Sequence, residues 1–143
     1  MRIMSLAHST YQHQYHIVWG TKYRKKFLKD YVKADLSACF AETVRRHPTL
    51  QILALNTDND HLHLQIEIAP DMAVSEVVGL LKQNSSRMLK KKFAFIRRMY
   101  LEDGIWSVGY FSSTLGLNEE MIRRYIDHQG EEEKPKQARL LFE

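Results

Sequence analysis

The chain has 143 residues, of which 44% are hydrophobic and 10% aromatic, so it can bury one substantial core and is too apolar to be intrinsically disordered. Its single cysteine, Cys39, excludes an internal disulfide, and no apolar run is long enough for a membrane span or a signal peptide. With a net charge of +4, we expect a basic cytoplasmic protein without a membrane partner. It should form one domain over residues 1–143, with a polar tail at about 131–143.

The basic residues are concentrated in two clusters. The clusters comprise Lys22, Arg24, Lys25, Lys26 and Lys29, and then Lys82, Arg87, Lys90, Lys91, Lys92, Arg97 and Arg98. No acidic residue lies between positions 82 and 98, and acidic residues gather at 119–120 and 131–133. Segregated positive charge is typical of a protein that binds nucleic acid. The alternative is a set of solvated lysines at a helix end, where they favour the helix macrodipole.

Hydrophobic periodicity and turn residues predict the order strand, helix, strand, strand, helix, strand, helix. The predicted strands cover residues 15–19, 50–55, 61–68 and 105–113, and the helices cover 30–47, a stretch from about 74 to 89, and 118–129. Gly130 is typical of the residue that follows a helix end. This βαββαβ order predicts an α+β, ferredoxin-like (RRM-like) antiparallel sheet with helices on one face, followed by a C-terminal helix.

The predicted strand at 61–68 alternates strictly between polar and apolar residues. Leu62 and the apolar residues at every second position after it point to one face, and His61 and His63 point to the other. Their Cα atoms would lie roughly 6–7 Å apart, so that both imidazoles can reach one metal ion. A polar strand face that happens to carry histidines is the alternative. If the core helices cover the apolar face, both histidines lie on the open face.

The last predicted helix carries Tyr125 and Gln129 four positions apart, so that both side chains lie on one face. Ile122 and Ile126 lie beside them and can anchor the helix. Taken alone, such a tyrosine is more often a packing residue, and the spacing does not require it to meet the histidines.

Four segments together carry a family resemblance. They are Tyr15-His16-Ile17-Val18-Trp19 with Thr21-Lys22-Tyr23-Arg24, His61-Leu62-His63, Trp106-Ser107-Val108-Gly109-Tyr110-Phe111, and Arg124-Tyr125-Ile126-Asp127-His128-Gln129. With these segments in order and at fitting separations, the chain resembles the small single-tyrosine HUH transposases of bacterial and archaeal insertion sequences, the IS200-like transposases. The resemblance covers nearly the whole chain.

The resemblance implies cleavage and rejoining of single-stranded DNA at insertion-sequence ends, with Tyr125 as the nucleophile that forms a 5′-phosphotyrosine link. It implies that His61, His63 and Gln129 hold a divalent metal ion, and these neutral ligands suit Mg²⁺ or Mn²⁺. It also implies DNA hairpins at the element ends as the substrate, and a homodimer whose active sites are shared between subunits. The residues expected to bind DNA are Lys22, Arg24, Lys25, Lys82, Arg87, Lys90 and Lys91.

Three other functions are compatible with parts of this pattern. A ferredoxin-like sheet can be a non-catalytic module that stacks RNA or single-stranded DNA bases on its open face without a metal. A second possibility is another HUH nuclease, such as a rolling-circle initiator or a relaxase. The third is a structural metal site with Cys39 as an extra ligand.

Overall fold

The computed structural model describes the backbone of residues 4–6, 9–11 and 13–142, and the side chains of residues 13–133. Six strands and four α-helices lie within these ranges. They are β1 (Met4–Leu6), β2 (Ser9–Tyr11), β3 (Gln14–Gly20), α1 (Asp30–Arg45), β4 (Leu50–Thr57), β5 (His61–Ile68), α2 (Val74–Lys92), α3 (Ala94–Met99), β6 (Phe111–Ser113) and α4 (Glu119–Phe142).

The main sheet is antiparallel throughout, with the strand order β4-β5-β3-β6. Strands β1 and β2 pair with each other in a separate hairpin. Together with α1 and α2, the four-stranded sheet confirms the predicted α+β, ferredoxin-like fold. The central pair is β3 and β5, so the segment that carries His61 and His63 lies in the interior of the sheet.

One face of the sheet packs against α1 and α2, because the apolar side chains of β5 alternate as the sequence predicts. Leu62, Leu64 and Ile66 are fully buried there. Helix α1 contributes its buried side chains at a spacing of four residues, and α2 contributes a stripe at steps of three and four. These helix residues are Val32, Leu36, Phe40, Val77, Val78, Leu81 and Leu89.

The opposite face is partly covered by α4. Val18, fully buried on β3, packs against Ile122 and Ile126 of that helix. The face that carries the histidines is therefore less open than the sequence predicts, because α4 folds back across it. Within the described ranges, no helix has both the length and the apolar character needed to cross a membrane.

Strand β6 is much shorter than predicted. It covers only Phe111–Ser113, whereas the prediction was a strand at 105–113. Residues 105–107 still pair with the chain at the end of β3, through a bridge between Trp106 and Thr21. The extended strand breaks after them, because Gly109 has a φ of 90°. The carbonyl oxygens of Ser107 and Gly109 bind the Lys82 ammonium group instead of a neighbouring strand.

Helix α4 is longer than predicted, since its backbone stays helical as far as Phe142. The prediction that the helix ends near Gln129, with Gly130 just beyond it, is therefore wrong. Gly130 lies inside the helix, where a Cβ atom would be 2.6 Å from Cδ of Arg24. The glycine is required by this close contact rather than by a helix end. The side chains at 134–143, in the predicted tail, lie outside the described residues.

Candidate active site

The two histidines lie on the α4 side of the sheet, as the alternation predicts. In the antiparallel register of β3 and β5, His61 is opposite Gly20 and His63 is opposite Val18. Nε2 of His63 is 3.2 Å from Nδ1 of His16, so one of these nitrogens carries the proton that the other accepts. Burial, and next the proximity of His16, lower the pKa of His63 below its usual value.

A carboxylate fixes the position of His61. Nδ1 of His61 is 2.8 Å from Oδ1 of Asp60, which is 8% exposed. Oδ2 of the same carboxylate accepts hydrogen bonds from Nη2 and Nε of Arg24 at 3.2 and 3.3 Å. The hydrogen bond from His61, and secondarily the charge of Arg24, hold the pKa of Asp60 below its usual value despite its burial. Arg24 also donates from Nη1 to Asp127 of α4 at 2.8 Å.

Gln129 connects α4 to the sheet. Its side chain is buried, and its Oε1 accepts a hydrogen bond from the backbone N–H of Gly20 at 2.9 Å. Its Nε2 donates to the Tyr125 hydroxyl at 2.7 Å and to the carbonyl oxygens of Val108 and Gly109. The two residues that the sequence places on one helix face are therefore in direct contact.

The Tyr125 ring lies over Phe111 of β6, with 5.8 Å between the ring centroids. Its hydroxyl is close to Gly109, where a Cβ atom would lie 3.6 Å away. Burial, and next the charge of Glu132, raise the pKa of Tyr125 to about 12. The phenol is therefore protonated at neutral pH and requires a neighbouring positive charge to become a strong nucleophile.

The donor chemistry fits a divalent cation. His61 has its Nδ1 held by a carboxylate, as metal-binding histidines usually do, which leaves its Nε2 for a ligand. The Gln129 oxygen has a second lone pair besides the one that accepts from Gly20. Among the side chains of residues 13–133, no three histidine, cysteine, aspartate or glutamate residues cluster to hold a metal ion. Within these residues the candidate third ligand beside the two histidines is therefore the Gln129 amide oxygen, and Cys39 lies on α1, on the other face of the sheet.

In the loop before α1, hydrogen bonds hold two residues in an unfavourable backbone conformation. Tyr23 and Arg24 have φ values of 60° and 52°, in the left-handed region that costs a non-glycine residue about 1–3 kcal/mol. Thr21 ties this loop to Asp60, because its N–H donates to the Asp60 carbonyl oxygen at 2.9 Å, while its hydroxyl donates within the loop to the Lys25 carbonyl oxygen at 2.8 Å. On the other side, the N–H of Tyr23 donates to Glu133 of α4. The loop thus bridges the turn before β5 and the tyrosine helix.

The predicted DNA-binding residues lie in different places. Arg87, Lys90 and Lys91 are on α2, across the sheet from the histidines. The Lys90 ammonium group donates to the Asp103 carbonyl oxygen, and Lys82 donates to two carbonyl oxygens of the loop before β6. The ammonium group of Lys22 is 3.7 Å from Asp103, and Lys25 is half-buried. Their role in DNA binding stays a prediction.

Several residues at this site were not singled out from the sequence. His16 could have been found by alternation, because it lies two positions from Val18 on the same face of β3. Asp60 directly precedes His61, which is a local signal for an orienting carboxylate. A cleft of about 240 Å³ beside His61 is lined by Lys26 and Arg123, among others, and only the folded arrangement reveals it.

Comparison with known proteins places the chain among transposases. The profile of the family described as "Transposase IS200 like" matches residues 9–129. The transposase for insertion sequence element IS200 of Salmonella typhimurium is 35% identical over 130 residues, which cover 91% of this chain and 85% of that protein. The ISDra2 transposase TnpA of Deinococcus radiodurans is 26% identical over 124 residues, with 86% and 88% covered.

Solved structures share the fold. A crystal structure from Deinococcus radiodurans superposes with a TM-score of 0.77 at 26% identity, and covers 88% of this chain and 97% of its own. A REP-associated tyrosine transposase bound to a REP hairpin superposes with a TM-score of 0.54 at 15% identity, with 87% and 69% covered. The second likeness shows the fold alone.

Proposed function

Because the chain belongs to the IS200-like transposase family, we propose that it cleaves and rejoins single-stranded DNA at insertion-sequence ends, with Tyr125 as the nucleophile. The observation that carries this proposal is the Gln129 side chain. Its amide nitrogen donates to the Tyr125 hydroxyl at 2.7 Å and its amide oxygen accepts from Gly20 at 2.9 Å. Gly20 is the register partner of His61. One side chain thus joins the nucleophile to β3, at the position that pairs with His61 of the neighbouring strand.

In the proposed reaction, the phenol oxygen of Tyr125 forms a bond to the scissile phosphorus while the bond from phosphorus to the 3′ oxygen breaks. The phenol proton passes to solvent, and the departing 3′ oxygen takes up a proton to become a hydroxyl group. The products are a free 3′-hydroxyl and a 5′-phosphotyrosine. Attack by another 3′-hydroxyl reverses these steps at a new junction, so rejoining needs no nucleotide cofactor.

His61, His63 and Gln129 would hold the cofactor, Mg²⁺ or Mn²⁺. When bound, this ion supplies positive charge that stabilises the negative charge developing on the phosphate oxygens. The hydrogen bond from Gln129 to the phenol oxygen favours the phenolate, which opposes the effect of burial on the pKa of Tyr125. The amide therefore both orients and activates the nucleophile.

The proposed substrate is single-stranded DNA with hairpins at the element ends. Lys26 and Arg123 line the cleft beside His61 and can contact phosphates of a strand that passes there. Four carboxylates also line this cleft, those of Asp58, Asp60, Glu119 and Asp127. The predicted DNA-binding residues in the loop before α1 and on α2 would hold the DNA that flanks the cleavage point. We further propose a homodimer with shared active sites, as the family resemblance implies, in which α4 of a second copy would make the contact with Val18 that Ile122 and Ile126 make within this chain.

The test is formation of a covalent complex. The protein is incubated with labelled single-stranded DNA that contains its own element ends, with and without Mn²⁺ or Mg²⁺, and then separated under denaturing conditions. We expect a slower band that needs the metal and is absent in Tyr125→Phe. The variant should still bind DNA, because Gln129 keeps its bonds to Gly20 and to the loop before β6. Tyr31→Phe, on the exposed side of α1, is the matched control and should retain the band.

Two outcomes would contradict the proposal. A band that persists in Tyr125→Phe would remove this residue from the nucleophilic role. Tight, metal-independent binding without any covalent band would instead indicate a non-catalytic nucleic-acid-binding module.

A further inference from the structure

Four charged or polar side chains form a continuous line from β5 to α4. The line begins at Nδ1 of His61, which is 2.8 Å from one carboxylate oxygen of Asp60. Arg24 donates to the other oxygen of that carboxylate at 3.2 Å and reaches Asp127 at 2.8 Å.

We infer that Asp60 and Arg24 are positioning residues of the proposed active site, so that the orientation of His61 and the docking of the tyrosine helix depend on each other. Asp60 holds His61 in the form that is protonated on Nδ1 and has a free Nε2. Arg24 binds the same carboxylate and α4 at once. This inference rests on the proposed function, and it adds two residues that act through His61 and Tyr125 rather than on the DNA.

The chemistry of a carboxylate supports the role of Asp60. An ionised carboxylate only accepts hydrogen bonds, so the proton of the contact must be on Nδ1 of His61. Nε2 then keeps its lone pair, as a metal-binding imidazole requires. Asp60 is itself held in place, because its backbone carbonyl accepts from the N–H of Thr21 at 2.9 Å.

The shape of the guanidinium group supports the role of Arg24. Its planar fork can bind two carboxylates in different directions, which a single ammonium group cannot reproduce. Arg24 adopts a left-handed backbone with a φ of 52°, and its side chain crosses α4 directly over Gly130. Because its donors already bind Asp60 and Asp127, this arginine is better placed to join two elements than to bind phosphate.

The first experiment changes Asp60 to asparagine, an isosteric residue. Arg24 attracts the only remaining oxygen, so the new amide N–H₂ turns toward His61 and donates to Nδ1. We expect long-range ¹H–¹⁵N spectra of the metal-free full-length protein to show the His61 proton moving from Nδ1 to Nε2. The dissociation constant for Mn²⁺, measured by titration, should rise by about 10–100-fold. A tautomer and an Mn²⁺ affinity equal to those of the wild type would overturn the role of Asp60.

The second experiment tests the link to α4 by a readout of docking, the hydrogen exchange of the Gly20 amide. This N–H donates to Gln129, so it is protected only while α4 is docked. We expect lost protection and weaker Mn²⁺ binding in both Arg24→Gln and Arg24→Lys. If Arg24 were only a phosphate contact, both variants would keep the Gly20 protection of the wild type, and that result would overturn its positioning role.

A third variant, Gly130→Ala, moves the Arg24 side chain without changing any charge. In Gly130→Ala, the new Cβ atom would lie 2.6 Å from Cδ of Arg24, so the side chain must leave its place. Gly20 protection should fall as in Arg24→Gln, and the two changes combined should have no additional effect. Gly79→Ala is the matched control, because a Cβ there meets no atom within 4 Å. If the losses of Gly20 protection in Gly130→Ala and Arg24→Gln add in full, the two changes act independently, and the proposed link through Arg24 is contradicted.

These readouts do not depend on catalysis, so failure of the inference and failure of the proposed function are distinguishable. If the wild type forms the covalent complex and all variants retain its tautomer, protection and Mn²⁺ affinity, the function stands and the inference fails. If the wild type forms no covalent complex but the tautomer and protection change as expected, the contacts are confirmed and the nucleolytic function is wrong.

Discussion

At Gly20, a single peptide group of the sheet contacts the tyrosine helix. Its N–H donates to Gln129, and a Cβ atom on it would lie 2.9 Å from the same amide oxygen. Its φ lies outside the left-handed region, so the backbone itself would accept alanine. Glycine is needed at position 20 only because the Gln129 amide oxygen lies too close to where a Cβ atom would be.

We therefore predict that Gly20→Ala separates catalysis from folding. The added methyl group displaces the Gln129 amide, so the rate of covalent complex formation should fall about 10–100-fold, as it does when a ligand loses its support. The unfolding free energy in urea should fall by about 1–3 kcal/mol, because the buried Gly20 N–H loses its acceptor, but the fold should persist because the α1 and α2 face of the sheet is untouched.

The control for that prediction is Gly79→Ala in α2. It should keep the wild-type rate and gain about 0.5–1 kcal/mol in unfolding free energy, since alanine is the better helix former. A Gly20→Ala variant with the wild-type rate of complex formation would show that the position of Gln129 does not limit the reaction.

Among the structural elements, the loop before β6 is held by side chains from both sides of the sheet. Lys82 of α2 donates to the carbonyl oxygens of Ser107 and Gly109 at 2.8 and 2.7 Å. From the other side, Gln129 donates to the carbonyl oxygens of Val108 and Gly109. The loop that lies next to the Tyr125 hydroxyl is thus held in place partly by Lys82.

We predict that Lys82→Met slows covalent complex formation at saturating DNA, because the loop under Tyr125 loses two hydrogen bonds. Lys91→Met, which removes the same charge from an exposed position on α2, should weaken binding without slowing the saturated rate. Equal effects of the two variants would assign Lys82 to DNA binding alone.

The same lysine predicts a pH dependence. Burial lowers the pKa of Lys82 to about 8, so between pH 8 and about 10.4 the unfolded chain binds more protons than the folded one. The unfolding free energy of the wild type should therefore rise relative to that of Lys82→Met across this window. Urea unfolding of both proteins at pH 7 and pH 9.5 measures the difference. A constant difference would mean that Lys82 titrates as an exposed lysine.

The elements that the sequence predicts correctly are those with a clear period. Strict alternation located β5 and both of its faces, and a spacing of four located α1. The sequence pattern predicts a strand at 107–110, but the structure has a loop there. The shape of this loop depends on Lys82, a residue far away in sequence. The end of α4 was also missed, because Gly130 is required by Arg24 and not by a helix end. Long-range polar contacts have no period, so sequence patterns do not reveal them.

At the scale of the whole molecule, basic side chains lie on both sides of the sheet, mixed with carboxylates in the cleft beside His61. Lys26 and Arg123 line the cleft beside His61, whereas Lys90 and Lys91 lie on α2 behind the sheet. The sheet separates the second pair from Tyr125, so these lysines can hold DNA but cannot contact the reacting phosphate of the same subunit.

We predict that changing Lys90 and Lys91 together to glutamine lowers the affinity for DNA and flattens its salt dependence. Two lost phosphate contacts should reduce the slope of log K against log salt by about 1.4 for a single strand. At saturating DNA the rate of covalent complex formation should be that of the wild type.

The control for the salt experiment changes Arg45 and Arg46 to glutamine. These exposed arginines lie at the end of α1, where both contact Glu42, and they should leave the slope unchanged. If both pairs flatten the slope equally, the effect comes from net charge and not from a defined DNA path.

The burial of Val18 beneath Ile122 and Ile126 has a consequence for synthesis on the ribosome. Strand β3 is made about 100 residues before α4, which at ordinary elongation rates is roughly 5–20 s. During that interval the second face of the central strand has no cover from its own chain. In the proposed homodimer, a finished copy translated from the same messenger would supply its helix in the meantime, so the order of translation would favour pairing between sister chains.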